Sequence, residues 1–479
     1  MRVPVLFGFV LLAACGSKSL APEESSGGGG SIVTDAGPPP GGGDWSQYRH
    51  DARGGSENPG VFAAAEAAKL TQLWSVELGQ YVYTQAVLSG DLAVYTTAFS
   101  GKVVAVDANN GSVRWSRTLN SPIATACGGS KQPGFWAAAA ISGDVVYAAS
   151  PDGRAYALRK SDGTTIWAAA IADPTAAGHG EFIQSSPAVS TALGRLYLGV
   201  ASSAHCDQIG GRLAAVDLAT GAVQQKALVG AGQQGATVWS SVTIAEDEGR
   251  LYVTTGNRFG PAAATPWAQA FLAVDPRTLE VLDSWQNPTT LENSDFGSSP
   301  ALASAGSLKL VAATSKDGWL YVLRRDALSR GPVWKYQMAV IDPALPGEGG
   351  DPARGFGSIS TPAFAQGRLY AAGGRTPQGE QGSVIAFDPA SGAVIWKHAT
   401  PGYVLAPMAV SGEILAVESS AVDGTSSTLE VLDAATGAVV RSFPGAIATF
   451  GAPSIGRGLI LWSDAFGHAV ALAVKSYRP

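Results

Sequence analysis

The sequence predicts an all-β chain closed into one β-propeller of eight blades. One strand–turn–strand pattern recurs along the whole body, and a lone strand near its start complements a blade short of a strand at its end. Composition fits: of 479 residues only 15% are charged and 60 are glycine, the balance of short strands joined by tight turns.

The repeat is read first, because a fixed period overrides the two or three domains that this length would otherwise suggest. Its copies are KVVAVDANNGSVRW ending at Trp115, RAYALRKSDGTTIW ending at Trp167, RLAAVDLATGAVQQ over 212–225 and FLAVDPRTLEVLDSW ending at Trp285. WLYVLRRDALSRGPVW ends at Trp334, SVIAFDPASGAVIW at Trp396 and TLEVLDAATGAVVRSF at Phe443. Alternation such as Val-x-Ala-x-Asp has the period of two that marks a strand. Asp then bonds backbone N–H groups of the turn, and Gly takes the positive φ it needs. A second strand pair precedes each copy, as in LAVYTTAFSG and VVYAASPDG, which gives four antiparallel strands per unit, a propeller blade. The recurring Trp is expected to pack between blades.

Seven copies are full, and HAVALAVKSY at the C-terminus lacks a last strand. Leu70-Thr71-Gln72-Leu73-Trp74-Ser75-Val76 is a last strand with no blade of its own, so pairing the two closes an eighth blade and removes the sheet edges. A seven-bladed ring is the competing count.

Upstream of the body, Arg2, an apolar stretch from Val5 to Leu12 and then Ala13-Ala14-Cys15 follow the order of a secretory signal. The stretch is too short to span a bilayer, which takes about 20 residues. Small residues before this Cys resemble the bacterial lipoprotein signal, which implies cleavage at residue 14 and acylation of Cys15. Gly16, in place of the Asp that retains some lipoproteins at the inner membrane, points by the same resemblance to the outer membrane, facing the periplasm. Residues 16–43, with Gly27-Gly28-Gly29-Gly30 and Pro38-Pro39-Pro40, have the composition of a flexible tether. The expected order is a signal peptide over 1–14, the lipidated Cys and tether over 15–43, and the propeller over 44–479.

A net charge of −6 and a pI near 5.5 exclude a nucleic-acid surface. Beyond Cys15 the cysteines are Cys127 and Cys206, which form either a disulfide in an oxidising compartment or two separate thiols. The histidines (50, 179, 205, 398 and 468) have no metal-ligand spacing, which excludes zinc. Gly-rich stretches fall at strand turns and open no helix, so a phosphate loop is excluded too.

The Ala-x-Asp-x-x-Thr-Gly-x-x-x-Trp unit resembles the repeat of the pyrroloquinoline-quinone (PQQ) dehydrogenase superfamily, over essentially all of 45–479. That fold also serves non-catalytic scaffold lipoproteins of outer-membrane protein assembly. Four segments resemble the catalytic members, above all the polyvinyl-alcohol dehydrogenase branch. Gly235-Ala236-Thr237-Val238-Trp239-Ser240-Ser241 is similar to the segment whose Trp lies beneath the quinone. Leu251-Tyr252-Val253-Thr254-Thr255-Gly256-Asn257 is similar to the one whose Asn binds Ca²⁺. Asn293-Ser294-Asp295-Phe296-Gly297 resembles the segment with the catalytic Asp, and Ser315-Lys316-Asp317-Gly318 the one whose cation meets the quinone oxygens.

The resemblance thus implies Trp239, Asn257 and Lys316 as cofactor contacts, Asn257 and Asp295 as metal ligands, and Asp295 and Lys316 as the catalytic pair. The chemistry suits them: an aromatic face supports a flat ring, and Ca²⁺ takes hard oxygen ligands and polarises a carbonyl. A carboxylate takes a hydroxyl proton, and a fixed cation steadies an oxyanion. Each also has a plain alternative: Trp239 as another inter-blade aromatic, Asn257 and Asp295 as turn residues, and Lys316-Asp317-Gly318 as a repeat of the Pro151-Asp152-Gly153 turn.

The sequence departs from the family at three points. The paired cysteines that cover the quinone are replaced by Val94-Tyr95-Thr96-Thr97-Ala98. Only Asp207, in Ser203-Ala204-His205-Cys206-Asp207, stands near the usual Glu ligand. No Cys-x-x-Cys-His haem site occurs, so electrons would leave to a separate acceptor. Two functions follow: a lipid-anchored envelope quinoprotein, intact or degenerate, that oxidises a small alcohol or sugar with PQQ and Ca²⁺ and without haem; or a non-catalytic scaffold that presents loops to envelope proteins. The first requires the four side chains to converge at the ring axis. The insertions Asp342–Phe356 and Gly260–Trp267 would form either a pocket rim or a partner surface.

Overall fold

The structure, a computed structural model, describes residues 43–475 except 80, 99, 120–134, 176–179, 203–208 and 447–449. The signal and tether segments, Cys15, Cys127, Cys206 and Asp207 lie outside the described residues.

Eight antiparallel sheets form the eight blades. Blade 1 runs from the axis outward as Val87–Ser89, Leu92–Thr96, Lys102–Asp107 and Val113–Thr118. The innermost strands of the other blades are Ala140–Ser142, Ala188–Ser190, Thr243–Ala245, Ala301–Ala305, Ala363–Ala365, Ala409–Ser411 and Ser454–Gly456. Blade 3 adds a short strand, Glu181–Phe182, beside Arg195–Ser202. Blade 8 closes as expected: Leu70–Glu77 is its outermost strand and pairs antiparallel with His468–Val474, from Leu70 opposite Val474 to Glu77 opposite His468. The chain enters each innermost strand from the face that also carries the loops between second and third strands, so two sets of connections meet at one end of the ring.

The Asp–Gly–Trp repeat is a seam between blades. In blade 3 the Asp217 carboxylate accepts from the N–H groups of Ala219 and Thr220 and fixes the turn. The indole of the preceding blade's outer strand then donates to that turn: Trp74 to the Ala108 carbonyl, Trp115 to Lys160, Trp167 to Leu218, Trp334 to Pro389 and Trp396 to Ala434, at 2.8–3.1 Å. The turn glycine lies flat on the ring. At Gly111, with φ +76°, a Cβ would come within 2.9 Å of Trp74. Truncating such a Trp costs roughly 3–5 kcal/mol. Trp285 against Gly331 makes a sixth seam of this kind. At the other two, blades 3 and 7 carry Gln225 and Arg441 where Trp is expected. The blade 4 turn facing this strand has Leu279 at φ +61° instead of Gly, and Gln224 Nε2 donates to its Thr278 carbonyl at 3.2 Å.

Ahead of the closing strand, Asp44–Phe62 plugs the channel and bonds to every blade in ring order. Trp45 pairs with Leu88, Ser46 accepts from Ile141 N, and the Gln47 side chain brackets Val189. Arg49 reaches Thr243 and the Pro300 carbonyl, and Ala52 accepts from Ile244 N. Gly55 accepts from Phe364 N, Ser56 from Val410 N, and Asn58 Nδ2 donates to the Ile455 carbonyl. Arg49 is only 1% exposed, and its burial pushes the guanidinium down to about 10.

Candidate functional site

Trp239 and Asp295 lie on segments that enter the inner strands of blades 4 and 5, while Asn257 and Lys316 follow the second strands of those same blades. All four therefore reach the end of the channel opposite the plug. Hydroxyls fix the two entering segments: Ser186 N donates to Ser241 Oγ, Ser241 N to Ser299 Oγ, and Ser299 N to Thr361 Oγ1, at 2.8–3.0 Å. The serines after Trp239 and Asp295 are thus rungs between blades.

The four side chains form one cluster. Trp239 Nε1 donates to Asp295 Oδ2 at 2.7 Å, and Lys316 Nζ lies 2.9 Å from Asp295 Oδ1. The ammonium also stands 5.0 Å from the Trp239 ring centre, within cation–π range. The backbone joins in, Lys316 N donating to the Asp295 carbonyl at 3.1 Å. Asp295 is 4% and Lys316 7% exposed, so a buried carboxylate and ammonium face each other across the indole. Gly297 leaves the close approach that Trp239 needs, since a Cβ there would come within 2.2 Å of the ring.

Asn257 joins through a residue that the sequence reading left without a role. Its Nδ2 donates to Asn293 Oδ1 at 3.2 Å, and Lys316 Nζ donates to the same oxygen at 3.3 Å. Asn257 Oδ1 is buried without a hydrogen-bond partner, and Asp295 Oδ1 has only the ion pair with Lys316, with no directional hydrogen bond. These oxygens suit a hard cation, and are two of the six to eight ligands that Ca²⁺ takes. Among the described residues, no group of three His, Cys, Asp or Glu side chains could hold a metal.

The insertion Asp342–Phe356 packs onto the cluster: Gly349 N donates to the Glu292 carbonyl, and Gly350 N to that of Lys316. Burial pushes the Asp351 carboxyl above its usual range, against the pull of the Ala353 N–H and the Lys316 charge. Gly260–Trp267 ends beside the site as well, where Gln269 Nε2 donates to Ser294 Oγ at 3.1 Å. On another side the surroundings are apolar, with Ile359, Tyr403, Leu405 and Phe450 packed around Trp239. Tyr83 stacks on Trp136 at 5.3 Å and meets Phe450 edge-on. A groove of about 710 Å³ lies elsewhere, along the outer seam of blades 4 and 5, and includes none of the four.

An eight-bladed ring of Asp–Gly–Trp seams with a tryptophan–carboxylate–ammonium cluster at one end defines a PQQ-like propeller. The family model described as outer membrane protein assembly factor BamB matches residues 60–271 and 316–476, and the chain belongs to that family. The unmatched stretch between them holds Asn293 and Asp295. Solved structures share the fold at low identity. The quinohemoprotein alcohol dehydrogenase from Comamonas testosteroni is 18% identical with a TM-score of 0.69, covering 91% of this chain and 81% of its own. A europium-containing methanol dehydrogenase is 15% identical with a TM-score of 0.68, covering 88% of each chain. BamB from Moraxella catarrhalis is 15% identical with a TM-score of 0.55, covering 86% of this chain and 99% of its own. No curated protein sequence matches significantly.

Proposed function

We propose that this propeller binds PQQ at the Trp239 end of its channel and is, in type, an alcohol or sugar dehydrogenase. One observation carries the reading: Trp239, Asp295 and Lys316 interlock at 2.7–5.0 Å, with the unpartnered Asn257 Oδ1 beside them. A ring protein with no ligand would have little use for a buried ion pair at an open channel end, because desolvating two charges is costly.

In this reading the Trp239 face and its apolar surroundings hold a flat ring and keep water out. When bound, the quinone supplies the hydride acceptor. Asp295 takes the substrate hydroxyl proton, Lys316 meets developing negative charge, and Asn257 Oδ1 with Asp295 contributes oxygens to a Ca²⁺ ion. Reoxidation would fall to a separate acceptor, because the sequence holds no Cys-x-x-Cys-His haem site. The N-terminal expectations complete it. A tether acylated at Cys15 enters the ring at the plug, so the site would face away from an outer-membrane surface and into the periplasm.

The family match favours a second reading, a non-catalytic scaffold for envelope proteins. Calorimetric titration of the anchor-deleted chain with PQQ, with and without Ca²⁺, separates the two. The quinoprotein reading expects tight, calcium-dependent binding that Asn257→Ala abolishes. No heat at micromolar concentrations would leave the scaffold reading.

A further inference from the structure

We propose that Asn293 is a positioning residue that fixes both the orientation of the Asn257 amide and the seat of the Lys316 ammonium. The inference rests on the quinone reading and adds the residue that orders its polar wall.

Its hydrogen-bond directions are forced by chemistry. An ammonium can only donate, so the Asn293 atom 3.3 Å from Lys316 Nζ must be the carbonyl oxygen. That oxygen cannot donate to Asn257, so the Asn257 atom 3.2 Å away must be the NH₂ nitrogen. Asn257 therefore has no freedom to flip, and its Oδ1 points away from Asn293, buried and without a partner. Asn293 also limits Lys316: of three N–H groups, one faces Asp295 and one Asn293, leaving at most one for a ligand oxygen.

The backbone is prepared for this. Asn293 sits in the left-handed region at φ +51°, which Asn tolerates better than most residues. The insertion grips it from outside: Glu292 N donates to the Gly347 carbonyl and Gly349 N to that of Glu292, at 2.9 and 2.6 Å. A Cβ on Gly349 would fall 2.4 Å from the Asn293 carbonyl oxygen, so only glycine lets the insertion lie this close. Gly350 N, one residue on, donates to the Lys316 carbonyl at 2.5 Å. One inserted loop thus holds the backbones of both Asn293 and Lys316.

The test compares wild type with Asn293→Gly, which keeps the left-handed backbone without strain, and Asn293→Asp, which restores an acceptor. Two readouts are taken: acylation of Lys316 in the free protein, mapped by mass spectrometry against the other lysines, and PQQ affinity from tryptophan quenching with and without Ca²⁺. Asn293→Gly should raise acylation several-fold at Lys316 alone and weaken PQQ binding about tenfold or more, the scale on which outer-shell partners act. It should also blunt the calcium dependence, and Asn293→Asp should restore all three. Unchanged Lys316 acylation, or a rise shared by lysines far from the site, overturns the inference. So does unchanged PQQ affinity where wild type binds. A wild type that does not bind PQQ removes the quinone reading, while acylation still decides whether Asn293 holds Lys316.

Discussion

The same eight inner strands end at two different constructions. At the plug, Asp44–Phe62 supplies a partner to each blade in turn, and the Arg49 guanidinium and main-chain N–H make four hydrogen bonds in a fully buried setting. At the other end, Asn257 Oδ1 lacks a partner and Asp295 Oδ1 meets only an ammonium. Of its buried side-chain atoms, the plug leaves unpaired only two N–H donors, Trp45 Nε1 and Arg49 Nε, and the Ser56 hydroxyl, with no acceptor-only oxygen among them. An end with buried acceptors left over is costly until something donates to them or coordinates them. The difference separates residues that hold the ring from residues that await a guest.

The largest expected effect breaks the plug. Arg49→Met leaves the Gly54 carbonyl and the Thr243 hydroxyl without their donor, at roughly 1–3 kcal/mol per orphaned group, and takes from the Pro300 carbonyl one of its two donors, the other being Thr243. Thermal unfolding should show a loss of about 3–5 kcal/mol, while ligand binding well below the new Tm stays as in wild type. A shift no larger than that of a surface substitution would mean that the plug does not brace the ring.

The second test applies to the open end. Lys316→Met strands the Asp295 carboxylate and should cost about 3–5 kcal/mol, whereas Lys316→Met with Asp295→Asn should recover most of it. Denaturant midpoints for the two single variants and the double give the coupling; simple additivity would show that the two groups do not act as a pair.

The smallest effect is in the inserted loop. Because burial raises the Asp351 carboxyl in the folded protein, the folded state holds that proton to higher pH than the unfolded chain. Its contribution to stability therefore falls as pH rises from about 4, the ordinary Asp range, through the folded value. Asp351→Asn keeps the acceptor for Ala353 N and should be slightly more stable than wild type at pH 7, with the gap closing in acid. A gap that widens in acid would reverse the assignment.

The ring was far more legible than the plug. Blades repeat, so Asp, Gly and Trp at fixed offsets report the same seam many times, and the orphan strand at Leu70 had one place to go. Asp44–Phe62 repeats nothing. It turns through positive φ at Arg49, His50 and Ser56 and gives single bonds to successive blades, so no periodicity betrays it. The chief signal available was an arginine flanked by Tyr48 and His50, with Trp45 close by. At the site, Trp239, Asn257, Asp295 and Lys316 were named through family resemblance, and the structure brings them together. Asn293 stayed hidden because its part depends on a left-handed turn and on a loop inserted some fifty residues later.

The two seams without an indole lie between blades 3 and 4 and between blades 7 and 8, on opposite sides of the ring. They divide it into two arcs of four blades, each stitched internally by tryptophan, with the Trp239 cluster inside one arc. Polar contacts take over at those two seams: Tyr197 donates to the Pro276 carbonyl and Lys226 pairs with Glu280 between blades 3 and 4, and Trp462 Nε1 donates to Glu418 between blades 7 and 8. The ring is thus closed by two chemistries, buried indole faces at six seams and charged or hydroxyl contacts at two that face each other.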